Sequence, residues 1–362
     1  RRASGGAWMR YLCHAAGAAA LIGAAAYLVM RQGAATTAHA AAERLAVFTL
    51  VGGLETEAEQ DRLLATRSCV VRAFGPKVRF DHVIFHDGVP LSRRQELSAL
   101  VEGGLRFVDA REYGGFTRVP RLRWPLAHDA LGYRHMCDFM AFRWFVALSH
   151  LGYSHAMRVD EDVCINRLDV DALHRAIGDG VVYMYGLETT ESHRETVDSL
   201  VPWLLTYADS RGIEPTIPPY PSDAMYFSNF FFSAVDWWRE QPEVAHFLAA
   251  VNATQNVYHH RWGDAPIQTA ALRFHASPAS VRLLPVDYTH LSTRNEIRGG
   301  EEVPFDPPDP EMRRLAQEMH RNASACNGTN ALANCSDGGA PLASAPPAPP
   351  SPPSPPPDTK HH

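Results

Sequence analysis

Residues 156–165 read AMRVDEDVCI: a short apolar segment runs into three consecutive acids, Asp160, Glu161 and Asp162, and apolar residues resume at Val163. A buried strand over 156–159 puts the acids at its C-terminal end, the end that opens into the ligand crevice of an open α/β sheet. On an extended chain Asp160 and Asp162 face the same side, because side chains alternate with a period of two. Two hard oxygen ligands on one side suit Mg²⁺ or Mn²⁺ carrying a diphosphate. An acidic turn on a solvated surface has the same local sequence, so the surrounding chain decides.

Working outward, residues 45–51 (LAVFTLV) read as a buried strand, and 69–73, 82–85, 105–108 and 181–185 as further strands. Helical spacing occurs at 55–67, 92–101, 170–177 and 193–211. Strands alternating with helices at this pitch predict an α/β fold, a mostly parallel sheet with helices on both faces. The longest helical candidate, 133–151, leads directly into the strand that ends in the acids. Residues 225–234 (MYFSNFFFSA) are too densely aromatic for a surface and read as a strand walling a pocket. In RWGDAP, residues 261–266, Asp264 is placed to cap a helix starting at Ala265, with Pro266 in the tolerated first turn. Gly52 and Gly53, after the first strand, either admit a phosphate or make a turn, and His290, after a late strand at 281–284, is structural or ligating.

The chain has 362 residues, room for one large domain or two small ones. Its 34 basic and 40 acidic residues give a net charge of −6, which leaves no electrostatic footprint for nucleic acid. Residues 11–30 form an almost uninterrupted apolar run, about the length that crosses a bilayer. Arg1, Arg2 and Arg10 precede it, so the positive-inside bias makes 1–10 a cytoplasmic tail, 11–30 a transmembrane signal-anchor and 31–43 a lumenal stem. The alternative is a cleaved signal peptide ending at Ala38-His39-Ala40; either delivers the chain to the secretory pathway. Glycosylation sequons at Asn252, Asn322, Asn327 and Asn334 fit that address. Cys326 and Cys335 lie close enough in sequence to pair, Cys13 sits in the apolar run, and Cys69, Cys137 and Cys164 read by default as inert buried thiols. The folded domain is expected over 44–321, followed by a glycosylated, Pro-rich disordered tail over 322–362.

Several segments, in this order, resemble the fungal Golgi α-1,2-mannosyltransferases of glycosyltransferase family 15. They are Tyr133-x-x-Met136-Cys137, Arg158-Val159-acid-x-Asp162-Val163, Phe227-Ser228-Asn229-Phe230, RWGDAP, and Asp287-Tyr288-x-His290. The resemblance spans about 45–293 and implies a GT-A nucleotide-diphospho-sugar transferase fold over 44–321. It further implies a retaining, Mn²⁺-dependent transfer of mannose from GDP-mannose to a mannose-containing glycan of a glycoprotein, by a single-pass type II protein of the Golgi membrane. By position, Asp160 and Asp162 take the places of two acids near metal and diphosphate, with Glu161 between them. His290 takes the place of the histidine that ligates Mn²⁺, alongside Asp162. Tyr133 takes the place of an active-site tyrosine, and Asp264 lies near the pocket; in a front-face route a leaving phosphate oxygen takes the acceptor proton, with Asp264 or Glu161 as alternative bases.

Three departures accompany the resemblance. Where the fungal enzymes carry a glutamate after Ser-Asn-Phe, a candidate nucleophile, this chain has Phe231, which cannot form a covalent glycosyl intermediate. The family's arginine after Met-Cys is Asp138, and its Arg-Asn after the first strand is Gly52-Gly53. The competing readings are a GT-A transferase with another nucleotide sugar, an inactive lumenal carbohydrate-binding or scaffold protein, and a structural wall protein.

Overall fold

The computed structural model describes residues 44–117, 130–218, 220–291, 295–303 and residue 314. The expected anchor and stem, Cys326 and Cys335, the sequons at Asn322, Asn327 and Asn334 and the Pro-rich tail lie outside the described residues. Among the described residues, no helix is long and apolar enough to cross a membrane.

β1 (Leu45–Val51) is buried on both faces: Ala46 and Phe48 enter one apolar cluster, Leu45 and Val47 another. Two-sided burial is why its sequence is continuously apolar rather than alternating. α1 (Glu57–Phe74) starts with a capping box, Thr56 and Glu59 each bonding the other's backbone N–H. It runs straight through 69–73, where the β-branched pair Val70-Val71 predicts a strand. Leu63, Arg67, Val70 and Phe74 form one buried helical face, and tertiary packing overrides the local β preference. β2 (Asp81–His86), α2 (Leu91–Ala99) and β3 (Arg106–Asp109) follow, with β1, β2 and β3 parallel.

The helix predicted over 133–151 is two: α3 (Ala130–Phe142) and α4 (Trp144–His150). The break falls at Arg143, whose Nε turns back to bond Asp138 at 2.8 Å. α4 leads into β4 (His155–Val159), which lies parallel to β1 in mid-sheet. The acids then make a turn, closed by the Val163 N–H donating to the Asp160 carbonyl, and β5 (Val163–Leu168) departs into a second sheet. That turn replaces the extended chain expected through Asp160 and Asp162.

α5 (Val170–Gly178), β6 (Tyr183–Tyr185), β7 (Glu188–Thr190) and α6 (Arg194–Arg211) come next. The strand predicted over 225–234 is two, β8 (Ala224–Tyr226) and β9 (Phe230–Ala234). They are parted at 227–229, where the Asn229 carbonyl accepts the Asp160 N–H at 3.1 Å. α7 (Val235–Glu240), α8 (Pro242–Thr254), α9 (Asn256–His259), α10 (Asp264–His275), β10 (Val281–Leu283), β11 (Val286–His290), β12 (Asn295–Arg298) and β13 (Glu301–Val303) complete the described chain.

The main sheet has the order β10-β6-β9-β4-β1-β2-β3, parallel except for β9, which runs antiparallel to both neighbours. Residues of α3, α4, α8 and α10 pack on one face and residues of α1 and α5 on the other, the expected mixed sheet with helices on both sides. β13-β12-β11-β5 forms a second, antiparallel sheet. Gly186 lets the two sheets meet: a Cβ there would lie 2.8 Å from the Tyr288 ring and 3.0 Å from Phe230. One expectation about cysteine is overturned. Cys69 on α1 and Cys164 on β5 are joined in a disulfide across 95 residues of sequence, leaving Cys137 as a buried free thiol. Helix and strand bring the pair together by non-local packing, which no spacing rule reveals.

Candidate active site

Two strand directions create a cleft at the ends of the central strands of the main sheet. β4 ends at Val159 and antiparallel β9 begins opposite it at Phe230, so Asp160 and the Ser228-Asn229 segment emerge side by side. β11 pairs antiparallel with β5, setting His290 across from Val163, and the Leu291 N–H donates to the Asp162 carbonyl at 2.8 Å. The start of α10 and α3 closes the remaining sides. The resulting cleft has a volume of about 170 Å³ and is lined by Tyr133, Met136, Arg158, Asp160, Glu191, Met225, Phe227, Ser228, Asn229, His290 and residues 263–266.

At its base lies Arg158, with only 4% of its side chain exposed. Its Nε and one terminal nitrogen donate to the two Asp160 oxygens at 2.7 and 3.2 Å, and the other terminal nitrogen donates to Asp264 Oδ2 at 2.5 Å. Ser228 Oγ donates to the same Asp264 oxygen at 2.8 Å. The planar guanidinium fork, with five N–H donors, serves both carboxylates at once. Burial pushes the Asp160 carboxyl up to about 6, against the opposing pull of Arg158. Asp264 is the first residue of α10 and makes no cap with its side chain; Gly263 occupies the capping position. The expected cap is absent because the carboxylate is committed to Arg158 and Ser228.

Tyr133 reaches the cleft from α3, its ring beneath the Arg261 guanidinium at 4.5 Å. Burial, reinforced by nearby negative charge, raises its hydroxyl well above the ordinary phenol range, so at neutral pH it is a neutral donor. His290 Nε2 lies 3.0 Å from Asp162 Oδ2. Burial opposes protonation of the imidazole, but the Asp162 charge and hydrogen bond outweigh it and raise the pKa. Glu161 turns the other way. Its carboxylate faces Arg62 of α1 at 3.6 Å, its carbonyl accepts from Thr66 at 2.8 Å, and it does not line the cleft. Burial lifts its carboxyl to about 7.

The structure therefore gathers Tyr133, Asp160, Asp264 and His290 in one cleft, with Asp162 immediately behind His290 and Glu161 outside. Among the described residues, no group of three or more His, Cys, Asp or Glu side chains could hold a metal ion. The His290–Asp162 pair is a two-donor set. One nitrogen and one oxygen fit a divalent cation that takes its remaining ligands from phosphate and water, and the imidazole suits Mn²⁺ better than Mg²⁺.

No family model matches the chain, and no curated protein matches it in sequence. Solved structures do match in fold. Core-mannan synthase A from Aspergillus fumigatus, in its Mn/GDP form, superposes with a TM-score of 0.59 over 78% of this chain and 86% of that one, at 16% identity. The mannosyltransferase Ktr4p from S. cerevisiae gives 0.60 over 75% of this chain and 74% of that one, at 13% identity. The same protein in complex with GDP gives 0.60 at 13% identity, covering 75% of each chain. The fold is GT-A. The described residues within 44–303 carry the fold that the resemblance of motifs implies.

Arg158 and Asn229 are among the cleft residues to which the sequence assigns no role. Arg158 stands two residues before Asp160, and the period of a strand puts the two on one side, the signal that finds it. Asn229 is almost wholly buried; its Oδ1 accepts from Tyr288 at 3.1 Å, while Nδ2 has no hydrogen-bond partner among the described residues. A buried amide donor on a cleft wall is a place for a ligand oxygen. Phe231, at the position of the family glutamate, contributes nothing to the cleft. It is fully buried, stacked on Tyr183 at 5.1 Å and tilted against Trp144 at 5.4 Å.

Proposed function

We propose that this chain is a glycosyltransferase that moves mannose from GDP-mannose to a mannose-containing glycan of a glycoprotein. The supporting observation is the convergence of Tyr133, Asp160, Asp264 and His290, from four distant segments, on one cleft of a GT-A fold. The fold's neighbours include a core-mannan synthase solved in a Mn/GDP form and a mannosyltransferase solved with GDP. Within this reading the linkage is α-1,2, the anomeric configuration is retained, and residues 11–30 anchor the protein in the Golgi membrane with 44–321 in the lumen. The Cys69–Cys164 disulfide supports an oxidising compartment.

His290 and Asp162 would hold a divalent ion, Mn²⁺ in this reading, whose chemistry is to neutralise charge on the departing diphosphate. Asn229 Nδ2 and the neutral Tyr133 hydroxyl donate to donor oxygens. Asp160, both oxygens fixed by Arg158, keeps lone pairs free to accept from a sugar hydroxyl. Arg158 holds both acids in place and offsets their charge. With a phenylalanine at 231, the reaction uses no covalent intermediate at that position.

The test is a transfer assay on the full chain with GDP-mannose, Mn²⁺ and α-methyl mannoside. Expected is mannose transfer that stops with EDTA and falls by about 100-fold or more in His290→Ala. Absence of both GDP binding and transfer would overturn the reading in favour of an inactive carbohydrate-binding protein. GDP binding without mannose transfer would redirect it to another sugar or acceptor.

A further inference from the structure

Three carboxylates line the cleft among the described residues: Asp160, Asp264 and Glu191. The first two are both held by Arg158, and Asp264 also by Ser228. Both Asp160 oxygens and Asp264 Oδ2 are thus engaged by one buried guanidinium, which fixes these two carboxylates in place. Glu191 differs. No cation is paired with it among the described residues, and its single side-chain hydrogen bond is from the His193 N–H to Oε1, at 2.8 Å.

The backbone around Glu191 is firmly placed. β7 and β8 form a ladder that ends with the Glu191 N–H donating to the Asp223 carbonyl at 2.8 Å, and His193 caps the start of α6. With Oε1 occupied, Oε2 is turned toward the cleft wall at Gly263. A Cβ on that glycine would stand 3.7 Å from Oε2, in ordinary contact, and 3.3 Å from the Pro266 ring. Phe231 leaves no carboxylate on β9 to fill the part.

We propose that Glu191 is the catalytic base, the residue that binds the attacking hydroxyl of the acceptor and takes its proton. This rests on the transferase reading above. The acceptor oxygen forms a bond to the anomeric carbon on the same face from which the diphosphate leaves, as retention in one step requires, while the bond from that carbon to the diphosphate oxygen breaks, its electron pair leaving on the nucleoside diphosphate. The hydroxyl proton passes to Glu191 Oε2 and is released to water when the products depart. Glu191 also satisfies an N–H at the start of α6, and a purely structural residue would do no more than that.

Glu191→Gln separates the two roles, since glutamine keeps an oxygen for the His193 N–H and loses the base. The full-length variant is compared with wild type for GDP binding by calorimetry, melting temperature, and turnover at saturating GDP-mannose and α-methyl mannoside. Expected are unchanged melting, GDP affinity within about twofold, and turnover lower by about 100-fold or more. Turnover within about threefold of wild type would overturn the proposal, as would GDP affinity falling in step with turnover, which would place Glu191 on the donor side. Failure of the wild type itself to bind GDP would instead remove the transferase reading and this proposal with it.

Discussion

Replacing Arg158 with methionine removes a cation from the base of the cleft while keeping a side chain of similar length. Wild-type Arg158 makes two bonds to Asp160 and one to Asp264, and both Arg158 and Asp264 are buried. In the variant, two carboxylates face each other across the vacated space, and only Ser228 still donates to one of them. Stranding one partner of a buried ion pair costs about 3–5 kcal/mol, mostly desolvation left uncompensated. For a domain of this size, at about 2–4 °C per kcal/mol, the melting temperature should fall by roughly 6–20 °C. Arg158→Lys should lose less, because the charge remains, but one ammonium cannot reproduce the planar fork that serves both acids. Urea unfolding of wild type, Arg158→Met, Asp264→Asn and the double variant forms a cycle. Asp264→Asn should recover about 1–2 kcal/mol in the Arg158→Met background, since a neutral amide no longer needs the cation. A loss under about 1 kcal/mol in the single variant would refute this account, and so would additivity of the pair within about 0.5 kcal/mol.

Three further perturbations test other parts of the structure. The Cys69–Cys164 bond closes a loop of 95 residues, so Cys69→Ala/Cys164→Ala should lower unfolding free energy by about 4–5 kcal/mol on chain-entropy grounds; urea titration showing under about 1 kcal/mol would contradict the pairing. Phe231→Glu restores the residue of the fungal motif, yet it buries a carboxylate among Phe48, Trp144 and Tyr183, so it should cost at least about 3–5 kcal/mol and gain no transfer activity. A stable, faster variant would show that position 231 reaches the cleft. His82 is fully buried, and burial, with Arg67 nearby, lowers its imidazole to about 3. A depressed folded-state pKa means the unfolded chain binds the proton first, so this group's contribution is intact above pH 6.5 and lost as pH falls toward 3. The loss approaches about 1.4 kcal/mol per pH unit, and His82→Asn should flatten the stability slope between pH 6.5 and 5 by roughly 2 kcal/mol.

What could be read in advance depended on how local the information was. β1 is legible because burial on both faces writes itself as a nearly continuous apolar run, and α6 because its period and the glycine after it belong to one segment. The acids are legible as the end of β4, but not as a turn, since a turn here depends on β5 leaving for a second sheet. The same limit applies to 225–234. Its aromatic density describes burial correctly and hides the break at 227–229, whose cause is a hydrogen bond to a residue 69 positions earlier.

Site residues divide along the same line. Asp264 is conspicuous within RWGDAP, yet its local sequence argues for a helix cap, and only Arg158, 106 residues away, makes it a cleft carboxylate. Glu191 is the extreme case, lying in a TTES stretch that reads as ordinary surface. Its position follows from the β7–β8 ladder, which sets it beside a glycine on another element. An acid whose importance depends on what its neighbours have been used for has no motif of its own. In this cleft, Arg158 holds two of the three lining carboxylates, and that commitment is what singles out the third.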